Sequence, residues 1–157
     1  MFKREYCKTC GQKLEIVRIP SIEGQDGEHS VRLLSFPVLT CPANHERWYV
    51  YDDFGPDLLE SIYDTNKAYF TERKGFFRRR DYCARCHHVF EKLEESRQTV
   101  EIPIHMKNGH DFTLEVSGPA LTCTVCHSKQ IHNVEYRTTV ITEALANAMQ
   151  ASAIHPR

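Results

Sequence analysis

The chain has 157 residues, 26% of them charged, and a formal net charge of -1 at neutral pH. That length fits one ordinary domain or two small ones. The near-neutral balance excludes a bulk electrostatic pull towards nucleic acid or an anionic membrane. Seven cysteines are an odd number that a complete disulfide framework cannot use, and nine histidines add a mild pointer to metal.

The opening residues, Met1-Phe2-Lys3-Arg4-Glu5-Tyr6-Cys7, run into a Cys-x-x-Cys with no apolar signal region. No apolar run is long enough to span a bilayer. The expectation is a cytoplasmic protein with reduced cysteines and no membrane partner. Tyr6-Cys7-Lys8-Thr9-Cys10-Gly11 is a knuckle-like turn in which Gly11 can take positive φ. Leu14 to Ile19 reads as a strand, Ser21 to Ser30 as a polar turn, and Val31 to Phe36 as the returning strand. Pro37-Val38-Leu39-Thr40-Cys41 follows, then Arg47 to Tyr51 as an aromatic third strand. Trp48, Tyr49 and Tyr51 there supply core packing, with one face available for binding. Pro56 suits the first turn of a helix, and Leu58, Leu59, Ile62, Tyr63 and Tyr69 carry helical spacing to about Phe70.

The pattern then restarts. Tyr82-Cys83-x-x-Cys86 matches Tyr6-Cys7-x-x-Cys10, and Pro119-Ala120-Leu121-Thr122-Cys123 matches Pro37 to Cys41. Between these motifs Thr99 to Ile104 and Phe112 to Val116 read as strands. Lys107-Asn108-Gly109-His110 joins them, and Asn-Gly is a hairpin signal. A short strand over Ile131 to Tyr136 and a helix over Thr139 to Ala151 complete the second copy. Both halves read turn, strand, strand, turn, strand, helix, which marks an internal duplication. The predicted fold class is α+β: two tandem zinc-ribbon-like domains over 1–74 and 75–157, each a short antiparallel sheet with a C-terminal helix.

The duplication resolves the odd cysteine count. Asn44 stands where the second copy has Cys126, and His45, one residue on, can reach a metal with its longer imidazole. The spacing predicts one site of Cys7, Cys10, Cys41 and His45 and another of Cys83, Cys86, Cys123 and Cys126. The expected cofactor is two Zn2+ per chain. At ~75 residues per copy an apolar core supplies little net stability, whereas a structural zinc contributes on the order of 10–16 kcal/mol of apparent binding energy. A shell of four protein ligands leaves no open position for a catalytic water.

Cys-x-x-Cys, a charged strand, a hairpin, then Gly118-Pro119-Ala120-Leu121-Thr122-Cys123-x-x-Cys126 and a helix resemble the YgiT-type zinc finger, the zinc-binding half of MqsA-like antitoxins. The resemblance covers most of Tyr82 to Ala151 and, more loosely, Tyr6 to Phe70, with His45 a departure. It implies structural zinc and a domain that holds a partner protein. Only the zinc ligands carry over by residue. Such antitoxins continue into a DNA-binding helix-turn-helix, which the single last helix here does not match, so repressor activity is not expected. Two copies in tandem fit a scaffold or adaptor with two related surfaces.

One charge cluster stands apart: Arg73, Lys74, Phe76, Phe77, Arg78, Arg79 and Arg80 at the junction of the copies. Arginines beside aromatics suit single-stranded nucleic acid, which defines the alternative function. The plainer account is a linker whose phenylalanines pack inward while its arginines meet Glu91, Glu94 and Glu95. Catalysis has thin support. Glu101, His105 and His110 lie near the second hairpin, and His87, His88 and His127 flank the second metal site without forming a known catalytic pattern. The expectation is a non-enzymatic protein-interaction module, antitoxin-like or adaptor.

Overall fold

The computed structural model describes residues 5–107, 109–133 and 137–156. Strands β1 (Glu15–Asp26) and β2 (His29–Thr40) form a long antiparallel hairpin closed by Gly27 at φ +56°. The polar stretch Ser21 to Ser30, expected as a turn, is therefore strand almost throughout. Its polarity has period two: Ile22 and Val31 point into the core while Glu23 and Arg32 pair on the solvent face. A half-solvated strand rich in Ser, Glu and Gln looks like a loop by composition alone.

β3 (Arg47–Tyr49) adds to the C-terminal end of β2. The expected first helix is broken into three pieces: α1 (Phe54–Glu60), a π-type turn over Ser61–Thr65 and a single 3-10 turn over Lys67–Tyr69. Asn66 accounts for the break. Its side chain donates to Ser61 O at 2.7 Å and Pro103 O at 3.1 Å, anchoring the chain where a straight helix would continue. β4 (Glu72–Lys74) and β5 (Arg80–Tyr82) make a separate two-stranded hairpin. β6 (Ser96–Ile104) and β7 (Phe112–Thr122) form the second long hairpin, β8 (Lys129–Ile131) adds to the end of β7, and α2 spans Arg137–Ala151. Of the expected Asn-Gly turn, Asn108 lies outside the described residues, as do residues 134–136 of the expected last strand.

The expected boundary at residue 74 divides neither the sheet nor the core. β2 pairs antiparallel with β7, joining both hairpins in one six-stranded sheet ordered β1-β2-β7-β6, with β3 and β8 on the flanks. Arg32 pairs with Glu115 and Leu33 with Leu114. Aligning Pro37–Cys41 with Pro119–Cys123 makes Arg32 the counterpart of Leu114 and Leu33 that of Glu115, so each pair maps onto the other. The copies are thus related by a pseudo-dyad through the sheet centre.

Beyond the sheet the copies exchange parts. α2, from the second copy, packs on β1 and β2 of the first. The 54–66 segment of the first copy leans on the second hairpin, through Phe54 beside Phe112 and Asn66 on Pro103 O. The segments after the helices exchange too: His155 bridges to Trp48 beside β3, and Phe70 bridges to Ile131 in β8. One continuous hydrophobic core results, containing Leu33, Phe36 and Ile62 with Ile102, Leu114 and Ile141. At the tightest helix contact, a Cβ on Gly24 would lie 2.2 Å from Ala144 O. Glycine is what allows α2 to seat.

Candidate metal centres

All four cysteine turns share one backbone clasp. In each, the N–H of the first cysteine donates to the carbonyl five residues on: Cys7 to Gln12 at 2.8 Å, Cys41 to Glu46 at 3.2 Å, Cys83 to His88 at 2.8 Å and Cys123 to Ser128 at 3.0 Å. In three turns the residue four places after the first cysteine takes positive φ: Gly11 at +72°, His87 at +64° and His127 at +62°. The Cys41 turn differs. There Asn44 takes the positive φ (+57°), one residue earlier, and its N–H bonds to Cys41 O at 2.8 Å. That shift brings His45 to the fourth corner, as its position in the sequence predicts.

Each set gathers four ligand atoms, all within 4.8 Å of one another: Cys7, Cys10, Cys41 and His45 in one, Cys83, Cys86, Cys123 and Cys126 in the other. In both, the first ligand of each pair is buried and the second exposed, so His45 matches Cys126 in burial as well as place. Cys10 Sγ lies 3.4 Å from Cys41 Sγ, and His45 Nδ1 3.8 Å from Cys7 Sγ and 3.7 Å from Cys41 Sγ. In the second set Cys83–Cys126 and Cys86–Cys123 are both 3.5 Å apart. A tetrahedron with metal–sulfur bonds of about 2.3 Å has edges of about 3.8 Å. All seven cysteines are free thiols, and these separations far exceed the ~2.05 Å of a disulfide. The two clusters can hold two metal ions.

Electrostatics point the same way. Burial pushes Cys83 up, yet the backbone N–H of Cys86 and the Gln130 amide outweigh it and hold the thiol at about 5. Across the cluster the His88 backbone pulls Cys86 down, but burial and the neighbouring Cys123, Cys83 and Cys126 push it up to about 12. In the first cluster burial opposes ionisation of Cys7 and Cys41 while turn N–H groups lower both; for Cys10 the Gln12 backbone is outweighed by burial and the adjacent thiols. Packed thiols thus cannot ionise together. A divalent cation removes that conflict.

The second centre has an outer layer that sequence reading missed. Gln130, fully buried, donates to Cys83 Sγ at 3.0 Å and Ser128 Oγ at 2.6 Å, while its oxygen accepts from the Ala84 N–H at 2.9 Å. Ser128 Oγ lies 3.1 Å from Cys126 Sγ. Polar residues two apart just after a Cys-x-x-Cys are the signal that could have found them. Also missed was a buried knot near this centre: His132 Nδ1 contacts Glu95 Oε1 at 2.6 Å, and its Nε2 lies 3.3 Å from Asp81 Oδ1. It ties β5 and the approach to β6 onto the end of β8.

The basic segment lies on the β4–β5 hairpin. Residues 73–80 are all exposed, and Phe76 and Phe77 are 90% and 93% exposed. The expectation that these phenylalanines pack inward is overturned, and Glu95, expected to face the arginines, bonds His132. The candidate catalytic side chains are not assembled. Glu101 sits mid-strand opposite Glu115, roughly 13 Å along an extended strand from His105, and His105 pairs with Asp111 at 2.9 Å. Tyr51 donates to His110 O and packs by Phe36 and Phe54, while Tyr49 stacks on Phe54, so this aromatic cluster is core. His87 lies 3.8 Å from Glu72.

No protein-family model, curated protein or solved structure matches the chain.

Proposed function

We propose that the protein is a non-enzymatic interaction module, antitoxin-like or adaptor, whose fold is held by two zinc ions. The observation that carries this reading is that each cluster brings four protein ligands into one compact set. An ion there is saturated by protein and has no corner for substrate or water. Thiolate and imidazole donors favour zinc over the hard cations. The likeness of the second copy to the YgiT-type finger supplies the kind of role, namely holding a partner protein on a metal-stiffened scaffold.

The test is metal analysis joined to copurification. Zinc at two ions per chain, a stoichiometric protein partner retained by the tagged chain, and loss of that partner on chelation are the expected results. One ion or none per chain would overturn the zinc assignment. A monomer with no partner that turns over an ester or phosphodiester would overturn the non-enzymatic reading.

A further inference from the structure

The β4–β5 hairpin contributes no ligand atom to either cluster, and the sequence of its tip is unlike the rest of the molecule. From Arg73 to Arg80 five of eight residues are Arg or Lys and none is acidic, although the whole chain carries -1. Lys74 pairs with Arg80 and Arg73 with Asp81 in the strand register. Between them Gly75 takes φ +125°, and a Cβ there would lie 2.2 Å from Arg78 O. That close approach closes the turn and leaves Phe76-Phe77 as its apex. Their rings meet edge to face at 4.9 Å, and water surrounds nearly all the rest of them.

We infer that this hairpin docks the protein on an anionic membrane surface, with Phe76 and Phe77 entering the interface and the basic residues behind them meeting lipid phosphates. The depths match. The Arg78–Arg79 peptide is level with Gly75, behind the apex, and Lys74, Arg80 and Arg73 follow at about 3.3 Å per residue. The backbone that carries the cations therefore lies roughly 3 to 10 Å behind that of the phenylalanines, close to the depth of about 5–10 Å to which an interfacial helix buries its apolar face. Lys74 is held by Glu72 at 3.0 Å, and lipid phosphates at that level complement the run Arg78-Arg79-Arg80. Single-stranded nucleic acid fits the order of groups less well. Bases would stack on aromatic faces beside the cations, whereas here the rings stand in front of the cations. No described helix is long and apolar enough to cross a membrane.

The test uses the full, zinc-loaded chain and sedimentation with vesicles of phosphatidylcholine, alone or with about one third phosphatidylglycerol. Binding should favour the anionic vesicles by about tenfold and fall as salt rises. Phe76→Ala/Phe77→Ala should weaken it by about tenfold at unchanged metal content and melting temperature. Arg78→Gln/Arg79→Gln/Arg80→Gln should lose the anionic preference. Phe77→Trp should show a blue-shifted emission on vesicle addition that the parent, with Trp48 alone, lacks. Equal binding to both vesicle types, no binding, or full binding by the double alanine variant overturns the inference. Tight binding of oligothymidine without vesicle binding reassigns the hairpin to nucleic acid.

Discussion

The two metal centres use the same backbone clasp but differ in charge and in what surrounds them. With a divalent ion, four thiolates leave two negative charges on the second centre, while three thiolates and a neutral imidazole leave one on the first. The larger charge is where the buried amide is found: Gln130 donates to Cys83, and Ser128 leans on Cys126. At the corresponding places after Cys41 the chain has Glu46 and Trp48. The carboxylate of Glu46 instead accepts from the Lys8 N–H at 3.3 Å. A duplicated metal turn has therefore kept its backbone clasp and changed ligand and surroundings together.

The largest expected effect comes from removing the metals. On the proposed zinc assignment, stripping both ions with a chelator should unfold the chain, since a structural zinc contributes on the order of 10 kcal/mol. Cys41→Ser should reduce two ions to one. Because the sheet and core are shared across the pseudo-dyad, both halves should then lose stability in a single transition. Metal analysis with hydrogen exchange checks this. Full protection in the second half alone would mean that the copies fold independently.

Next comes Gly24→Val. The first atom added already meets Ala144 O and Ala148, and the branched methyls have nowhere to go, so α2 must lift from β1. A loss of about 3 kcal/mol is expected, read as a fall in melting temperature with both metals retained. An unchanged melting temperature would show that α2 contributes little to the shared core.

Gln130→Ala tests the difference between the centres directly. It should weaken metal binding at the second centre by about 10- to 100-fold and leave the first unchanged, measured by competition with a chromophoric chelator on Cys41→Ser and Cys123→Ser backgrounds. Equal weakening of both would mean that Gln130 acts through the fold rather than through Cys83.

Much of this was legible in the sequence. Cysteine spacing and the repeat together picked out all eight side chains that the structure brings into two clusters able to hold metal, His45 included, because metal ligation demands a fixed number of donors at short range. β3, the inner ends of the second hairpin and α2 were read within a few residues, since apolar periodicity marks one buried face, whereas the expected strand over Ile131 to Tyr136 meets β8 only at Ile131. The union of the halves was not legible. Which hairpin edge pairs with which depends on contacts far apart in sequence, and β2 and β7 carry no local mark of being neighbours. Polar alternation hid the distal half of the first hairpin, and Asn66, an ordinary residue in a helical stretch, gave no sign of its bonds to Ser61 and Pro103.

The smallest effect is the most specific test of the exchange between copies. Arg18 in β1 lies opposite Pro37, and Arg97 in β6 lies opposite Pro119, the matching proline of the repeat. Each arginine reaches into the other copy's hairpin turn. Arg18 donates to Asp111 O at 2.7 Å and Arg97 to Glu28 O at 2.7 Å. Bonds from a charged donor are worth more than neutral ones, but both are exposed, so solvent screens much of the gain. Arg18→Ala and Arg97→Ala should each cost about 1 kcal/mol. In chemical denaturation the two losses should be alike, because the two bonds are related by the same pseudo-dyad. They should also add in the double variant, since the bonds share no partner and sit at separate turns. A loss confined to one arginine would show that the symmetry of the sheet does not extend to its turns. A strongly non-additive double variant would mean that the turns communicate through the β2–β7 seam.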